Sequence, residues 1–220
     1  DTAVVAMFLD RAGYQNKKRL DRACNWIASM QSKNGGWGAF DKNNTYYYLN
    51  NIPFADHGAL LDPPTTDVSA RCVSMLSQIN KKNYKNTIQK GVEFLKNEQE
   101  NDGSWFGRWG TNYIYGTWSV LHALKAAGEN MDADYIKKAI FWIKSKQNKD
   151  GGWGENCATY WKEKKNMPPI KSMPTQTSWA ILSLLTLEKN NDTSIERGIE
   201  FLKKNFNKKN LWTDEHFNAV

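Results

Sequence analysis

The chain has few cysteines and few histidines, and neither type is arranged for a disulfide framework or a metal site. Its 220 residues include three cysteines and three histidines, with no Cys-x-x-Cys pair. An odd number of dispersed cysteines argues against a closed disulfide framework, and nothing near the start resembles a signal peptide. These absences predict a reducing, cytoplasmic setting and no metal ligands.

Long apolar runs and strand patterns are also missing. The most apolar stretch, WAILSLLTL at 179–187, has about half of the length needed to span a bilayer. No segment alternates apolar and polar residues as a half-buried strand does, and no phosphate-binding loop is present. The sequence therefore predicts an all-α protein with no transmembrane segment and no cofactor.

Aromatic residues and positive charge are abundant instead. The chain has ten tryptophans and a net charge of +7, and residues 103–120 contain six aromatic side chains. A basic surface is typical of an anionic partner, either nucleic acid or an acidic membrane, and also of a solvated outer face. The aromatic-rich segments carry little positive charge, which argues against a nucleic-acid binder that stacks bases on aromatic rings.

Three segments share one frame in which a helical pattern ends in Gln and a Trp follows six residues later. They are RACNWIASMQSKNGGW (22–37), KGVEFLKNEQENDGSW (90–105) and KAIFWIKSKQNKDGGW (138–153), and an eroded fourth copy covers 197–212. Apolar residues at three- and four-residue steps before a Gly-rich stop predict amphipathic helices. We expect each Gln to reach last-turn carbonyls of its own helix, with the Trp ring folded back over it. The structural residues predicted in this way are Gln31, Trp37, Gln99, Trp105, Gln147, Trp153 and Trp212.

A second set of helical patterns is apolar around most of its circumference. These patterns alternate with the first set and cover 2–13, 65–79, 115–128 and 174–188. Helices of this kind are buried. The alternation predicts eight helices in four hairpins, with the amphipathic helices on the outside.

The Gln–Trp repeats resemble the QW motifs of triterpene cyclases, and the linkers resemble the bacterial squalene–hopene cyclases more specifically. The matching segments are DTAVV, NGGWGAFDKNN, IPFADHGALLDPPTTDVSAR, GSWFGRWGTNYIYGT and DGGWGE. The resemblance covers nearly the whole chain and implies an α/α toroid of six helix pairs (an α6/α6 barrel), incomplete here with about four hairpins. It makes residues 1–220 a partial C-terminal α/α-barrel domain of a triterpene cyclase.

The resemblance also implies a reaction, the protonation of a polyprene alkene followed by cationic polycyclisation. The first step needs an unusually strong carboxylic acid, and the cations need stabilisation by aromatic faces. By resemblance, Asp1 is the last aspartate of the catalytic motif, with the proton donor just before it. We therefore expect the chain as given not to cyclise squalene.

Two further residues belong to the acid site that the resemblance implies. Asp67 matches an aspartate of the supporting network, although its position also suits a helix N-cap. Arg71 stands where the family has histidine, and a permanently charged guanidinium lowers the pKa of a neighbouring carboxyl. The catalytic residues implied by the resemblance are thus Asp1, Asp67 and Arg71.

The cavity wall implied by the resemblance is aromatic. Its substrate-binding positions are Phe40, Phe54, His57, Trp109 and Tyr115. The resemblance implies squalene or a related polyprene as the substrate. Phe40 replaces a tyrosine of the family and His57 a phenylalanine, and these changes leave open which polyprene it is. Tyr113 and Tyr115 each suit the wall or the packing, and Trp118 is expected in the helix core.

The family consists of monotopic proteins, which implies a place on the inner face of the cell membrane for the parent protein. The partners implied are a long isoprenoid substrate and the membrane surface, with no nucleic acid, and a homodimer of the parent is compatible with them. The competing hypothesis is a non-catalytic α/α-barrel binding or scaffold module. Such barrels in prenyltransferase β-subunits or complement thioester domains would show zinc ligands or a thioester motif, and neither is present in the sequence.

Overall fold

Gly-rich turns and polar helix caps divide the chain into alternating helices. The computed structural model describes residues 1–52, 60–187, 192–209 and 211–216, and these contain eight α-helices and no strand. The helices are α1 (Thr2–Arg11), α2 (Lys17–Ser29), α3 (Thr66–Asn80), α4 (Lys85–Asn97), α5 (Tyr113–Ala127), α6 (Asp134–Ser145), α7 (Pro174–Leu184) and α8 (Thr193–Lys204). The all-α prediction with eight helices is therefore confirmed.

The helix ends follow local chemistry. The Asn16 side chain accepts the backbone N–H of Arg19 at the start of α2, and Asp192 accepts that of Ser194 at the start of α8. Pro174 occupies the first position of α7, where its missing N–H costs no hydrogen bond. Helix α7 is shorter than the predicted 174–188, because a 3₁₀ turn takes over at Leu185–Leu187.

The chain divides into two compact units, Asp1–Glu98 with Ala126–Gly128 and Gln99–Lys125 with Glu129–Val220. In the first unit, α3 packs against α1, α2 and α4 and buries most of its circumference. In the second unit, α7 packs against α6 and α8. The even-numbered helices bury their apolar face and expose their polar face, as expected of outer helices.

Each motif glutamine binds a carbonyl in the first turn of an outer helix. The side-chain amide of Gln31 donates to the carbonyls of Gly35 at 2.8 Å and Thr87, in the first turn of α4, at 2.9 Å. The amides of Gln99 and Gln147 repeat this pattern with carbonyls in the first turns of α6 and α8. Both amide N–H groups are used in this way, so the glutamines do not satisfy last-turn carbonyls of their own helices as the sequence analysis expected.

The motif tryptophans satisfy those carbonyls instead. The indole N–H of Trp37 donates to Ile27 O at 2.7 Å, that of Trp153 to Ile143 O at 2.8 Å, and that of Trp212 to Leu202 O at 2.9 Å. Trp37 and Trp153 are buried, with 1% and 0% exposure, whereas Trp212 of the eroded copy is 47% exposed. The fourth copy thus keeps the tryptophan bond and lacks the glutamine bridge.

Candidate active site

Asp67 lies in the first turn of α3 and is 1% exposed. Its Oδ1 accepts the hydroxyl of Thr65 at 2.6 Å and the backbone N–H of Val68 at 3.0 Å. The N-cap residue of α3 is Thr65, so the N-cap assignment predicted as an alternative for Asp67 is wrong. A buried carboxylate in the first turn is still stabilised by the positive end of the helix dipole.

Arg71 follows Asp67 by one turn on α3, so the two side chains project from the same side of the helix. Arg71 is partly exposed, in contrast to the buried Asp67. Asp1 is exposed at the start of α1, where its carbonyl accepts the N–H of Val5 at 3.0 Å, and α1 packs against α3. The three residues implied as catalytic thus belong to two neighbouring helices.

Asp62 holds the loop that carries Phe40. Its buried carboxylate accepts the backbone N–H groups of Ala39 at 3.0 Å and of Phe40 and Asp41 at 2.6 Å each. The approach is so close that a Cβ on Gly38 would lie 2.6 Å from the carboxylate. The Phe40 side chain itself is 65% exposed. Asp62 is not among the residues predicted from the sequence, although an aspartate before two prolines is a turn signal.

Two of the implied wall residues, Phe54 and His57, lie outside the described residues. Trp109 is partly buried, and the guanidinium of Arg108 lies 5.5 Å from its ring centroid, within cation–π range. This contact leaves an aromatic ring and a fixed positive charge side by side.

Tyr115 belongs to an aromatic cluster between α5 and α7. Its ring centroid lies 5.1 Å from that of Trp179 and 5.9 Å from that of Trp118. The two tryptophans are stacked on each other at 5.9 Å with 15° between their planes, and His122 meets Trp118 edge-on. Tyr115, Trp118 and Trp179 are all partly exposed. The sequence-based expectation that Trp118 lies in the helix core is therefore wrong. Trp118 lies on the same partly exposed stripe of α5 as Tyr115.

Glu155 anchors the beginning of α5. Its buried carboxylate accepts the backbone N–H groups of Asn112 at 3.2 Å, Tyr113 at 3.1 Å and Ile114 at 2.9 Å, and the hydroxyl of Thr159 at 2.8 Å. The negative charge lies at the positive end of the helix, where orphan N–H groups need acceptors. Glu155 is not among the site residues predicted from the sequence.

Glu155 has one counterpart in the motif copies. It stands two residues after Trp153, and Asp214 stands two residues after Trp212. Asp214 accepts the backbone N–H of Thr175 at 3.3 Å, in the first turn of α7. Glu155 and Asp214 thus each accept N–H groups at the start of an inner helix of the second unit, whereas Ala39 and Gly107 hold the same position after Trp37 and Trp105.

Tyr113 is buried beside Glu155, and its ionic neighbours are partly exposed. The Lys165 ammonium lies 4.4 Å from the Tyr113 ring centroid, 3.1 Å from Asp102 and 3.5 Å from Glu100. Burial raises the pKa of Tyr113, and these carboxylates raise it further. Burial alone raises the pKa of Asp102, but hydrogen bonds from Ser104 and the Lys165 ammonium outweigh burial and lower it. Tyr113 is thus a packed, neutral phenol rather than a wall residue.

A cleft beside Glu155 is too small to be the reaction cavity. It is lined by Ile114, Trp142, Thr159 and Lys165 among others, and its volume is about 30 Å³. Small-molecule sites typically measure about 300–1,000 Å³. The partly exposed cluster of Tyr115, Trp118 and Trp179 is therefore the better candidate surface in this unit.

The structure brings some implied site residues together and leaves others to prediction. Asp67 and Arg71 share α3, and Tyr115 shares its cluster with two tryptophans. The convergence of Phe40, Phe54, Asp67 and Arg71 with Trp109 stays a prediction, because Phe54 lies outside the described residues and Trp109 belongs to the other unit. Within the described ranges, no cluster of three or more His, Cys, Asp or Glu side chains has the arrangement of a metal site. No helix of the same ranges is long and apolar enough to cross a bilayer.

Curated relatives resemble the chain over its full length. Squalene–hopene cyclase of Zymomonas mobilis is 51% identical over 225 residues, covering 100% of this chain and 34% of the relative. Squalene–hopene cyclase of Bradyrhizobium diazoefficiens is 49% identical over 229 residues, again with 100% and 34% coverage. The chain therefore spans about a third of the length of these relatives.

Solved structures resemble the fold. The type II terpene cyclase MstE from Scytonema superposes with a TM-score of 0.69 at 18% identity, covering 96% of this chain and 56% of that chain. This likeness identifies the fold as the α/α toroid type that the sequence analysis predicted. The family profile "Squalene-hopene cyclase C-terminal domain" matches residues 1–220. The chain belongs to the squalene–hopene cyclase family and corresponds to its C-terminal domain.

Proposed function

We propose that the full-length protein containing these residues is a class II terpene cyclase that converts squalene or a related polyprene into a polycyclic product. Relatives of this family carry squalene and hopene in their names. The observation that carries the proposal is the buried carboxylate of Asp67, held by Thr65 in the first turn of α3 with Arg71 one turn away. This arrangement is an organised acidic site at a helix end.

The proposed reaction is an isomerisation. A carboxylic acid transfers its proton to a terminal alkene carbon, and the π electrons of the following alkenes form carbon–carbon bonds with successive cationic carbons. The last cation loses a proton, so the product has the atoms of the substrate. Asp67 supports the acid through hydrogen bonding and charge. Aromatic faces such as those of Trp109 and Tyr115 stabilise cations without trapping them.

A segment exchange tests this proposal directly. The 220 residues replace the matching segment of the Zymomonas mobilis squalene–hopene cyclase, and the chimera is incubated with squalene in detergent. Extracts are analysed by gas chromatography with mass detection. We expect a pentacyclic product, and an Asp67→Asn chimera is expected to lose at least about 100-fold of the turnover. A folded chimera that makes no cyclic product from any polyprene would favour the scaffold hypothesis.

We also propose that the 220-residue polypeptide by itself gives no cyclic product. The aromatic cluster around Tyr115 is partly open to solvent, and water traps the cations that aromatic faces stabilise. The isolated chain, assayed beside the chimera under identical conditions, is expected to return unchanged squalene. Pentacyclic product from the isolated chain would contradict this part of the proposal.

Attachment to the inner face of the cell membrane is proposed for the full-length protein. The net charge of +7 suits an anionic leaflet. Tyr46, Tyr47 and Tyr48 are 59–67% exposed, and tyrosines are enriched at membrane interfaces. Flotation with vesicles of phosphatidylcholine, with and without phosphatidylserine, tests this, and equal recovery without vesicles would contradict it. A homodimer of the full-length protein is compatible with the family resemblance, and sedimentation of that protein checks it.

A further inference from the structure

Two sets of contacts hold Tyr115, one to the backbone just before it and one to its ring. The backbone contacts come from Glu155, which has no assigned role in the reaction. From the backbone side, Glu155 binds the N–H groups of three consecutive residues, the last of which directly precedes Tyr115. From the ring side, Tyr115 packs on the stacked pair of Trp118 and Trp179. The first contact determines where α5 begins and the second determines the orientation of the ring.

Gln176 connects these two contacts. It is fully buried on α7, three residues before Trp179. Its side-chain oxygen accepts the backbone N–H of Glu155, and its amide donates to the carbonyls of Glu155 and Thr111, both at 3.2 Å. Thr111 lies just before α5, so this one side chain ties the start of α5 to α7. The position of the Tyr115 ring relative to Trp179 depends on that joint.

The carboxylate of Glu155 cannot be replaced by an amide without loss. Oε1 accepts the N–H of Tyr113 and the hydroxyl of Thr159, while Oε2 accepts the N–H groups of Asn112 and Ile114. In a Glu155→Gln variant, either orientation of the amide turns an NH₂ donor toward a backbone N–H donor. The first turn of α5 then loses one or two acceptors in a buried site.

We propose that Glu155 and Gln176 are positioning residues for Tyr115, and that they determine how far a bound polyprene cyclises before the reaction terminates. The inference depends on the proposed function, because Tyr115 is taken as part of the cavity wall. A ring that shifts on the tryptophan pair changes the cation that it faces. Premature loss of a proton then competes with the next ring closure, and incompletely cyclised products accumulate.

The test uses the full-length chimera with two matched variants. Glu155→Gln removes an acceptor at α5, and Asp192→Asn removes one at the outer helix α8, where Asp192 accepts the N–H of Ser194 and pairs with Lys144. Thermal unfolding of both variants controls for lost stability. We expect Glu155→Gln to raise the ratio of incompletely cyclised to pentacyclic product about tenfold. Asp192→Asn should keep the wild-type ratio.

A chimera that makes no product would contradict the proposed function but would not test the positioning of Tyr115. A second measurement, which needs no turnover, tests that positioning. The chimera is labelled with 3-fluorotyrosine, and a Tyr115→Phe variant assigns the ¹⁹F resonance of Tyr115. We expect this resonance to shift or broaden in Glu155→Gln and to stay in place in Asp192→Asn. An unmoved resonance, or equal product ratios in the two variants, would overturn the inference.

Discussion

The indole N–H of Trp153 donates to the carbonyl of Ile143, ten residues earlier, at 2.8 Å. The bond closes the last turn of α6 from outside the helix, in a site where Trp153 has no exposed surface. The neighbouring Gln147 directs its amide to α8 instead. The Trp and Gln positions of the repeat therefore have different structural roles. The tryptophan binds a last-turn carbonyl of its own outer helix, and the glutamine binds a first-turn carbonyl of the next outer helix.

Trp153→Phe is expected to destabilise the chain clearly. The substitution leaves the carbonyl of Ile143 without the indole donor and opens a small cavity, which costs about 2–4 kcal/mol of unfolding free energy. Urea denaturation followed by circular dichroism measures it. The matched control is Trp212→Phe, which removes the same type of bond at a 47% exposed site. We expect the control to cost less than about 1 kcal/mol, because water replaces the lost donor.

Gly151→Ala separates backbone strain from crowding when compared with Gly13→Ala. Both glycines have positive φ, +90° and +76° respectively, and an added Cβ is strained at either site. At Gly151 the Cβ would also lie 2.5 Å from the carbonyl oxygen of Arg197, whereas at Gly13 it meets nothing within 4 Å. We expect Gly13→Ala to cost about 1 kcal/mol and Gly151→Ala clearly more. Equal melting temperatures for the two variants would contradict the close helix approach.

Buried thiols predict a loss of stability at alkaline pH. Burial raises the pKa of Cys72 to about 12 and that of Cys24 to about 11, against about 8.5 for an unfolded thiol. The folded chain keeps these protons longer than the unfolded chain. Their contribution to stability is therefore complete below about pH 8.5 and decreases as the pH rises toward the folded values.

Cys72→Ala tests this directly. Urea unfolding between about pH 9 and 11 should show a slope of free energy against pH that is shallower than wild type by up to about 1.4 kcal/mol per unit. The matched variant is Cys157→Ala, which removes an exposed thiol. An identical slope for Cys72→Ala and wild type would show that Cys72 does not titrate differently on folding.

Arg71→His in the chimera is expected to make cyclisation depend on pH near neutrality. A guanidinium stays charged throughout, whereas an imidazole loses its charge near its ordinary pKa of about 6.5. If the positive charge one turn from Asp67 supports the acid site, the variant should approach wild-type turnover below about pH 6 and lose it above about pH 7. Turnover of wild type and variant against pH, with Arg71→Lys as the charged control, checks this. Parallel profiles would argue against a role for this charge.

Much of the architecture was present in the sequence. Periodic apolar positions, Gly-rich stops and the Gln-to-Trp spacing predicted eight helices of two kinds, because helix amphipathicity and turn chemistry are local properties. The same residues carried the family resemblance. The positions Gln31, Trp37, Gln99, Trp105, Gln147 and Trp153 were selected from spacing alone.

The partners of those residues were decided only by the tertiary structure. Spacing placed Gln147 near its own helix end, but its second partner, Ser194, lies 47 residues away. Likewise Glu155 accepts N–H groups at the start of a helix that begins 42 residues earlier. Trp118 is partly exposed rather than buried in the core, and its ring stacks on that of Trp179 on α7. Hydrogen bonds and ring contacts are satisfied by whichever groups folding brings within about 3–6 Å, and sequence distance does not restrict that choice.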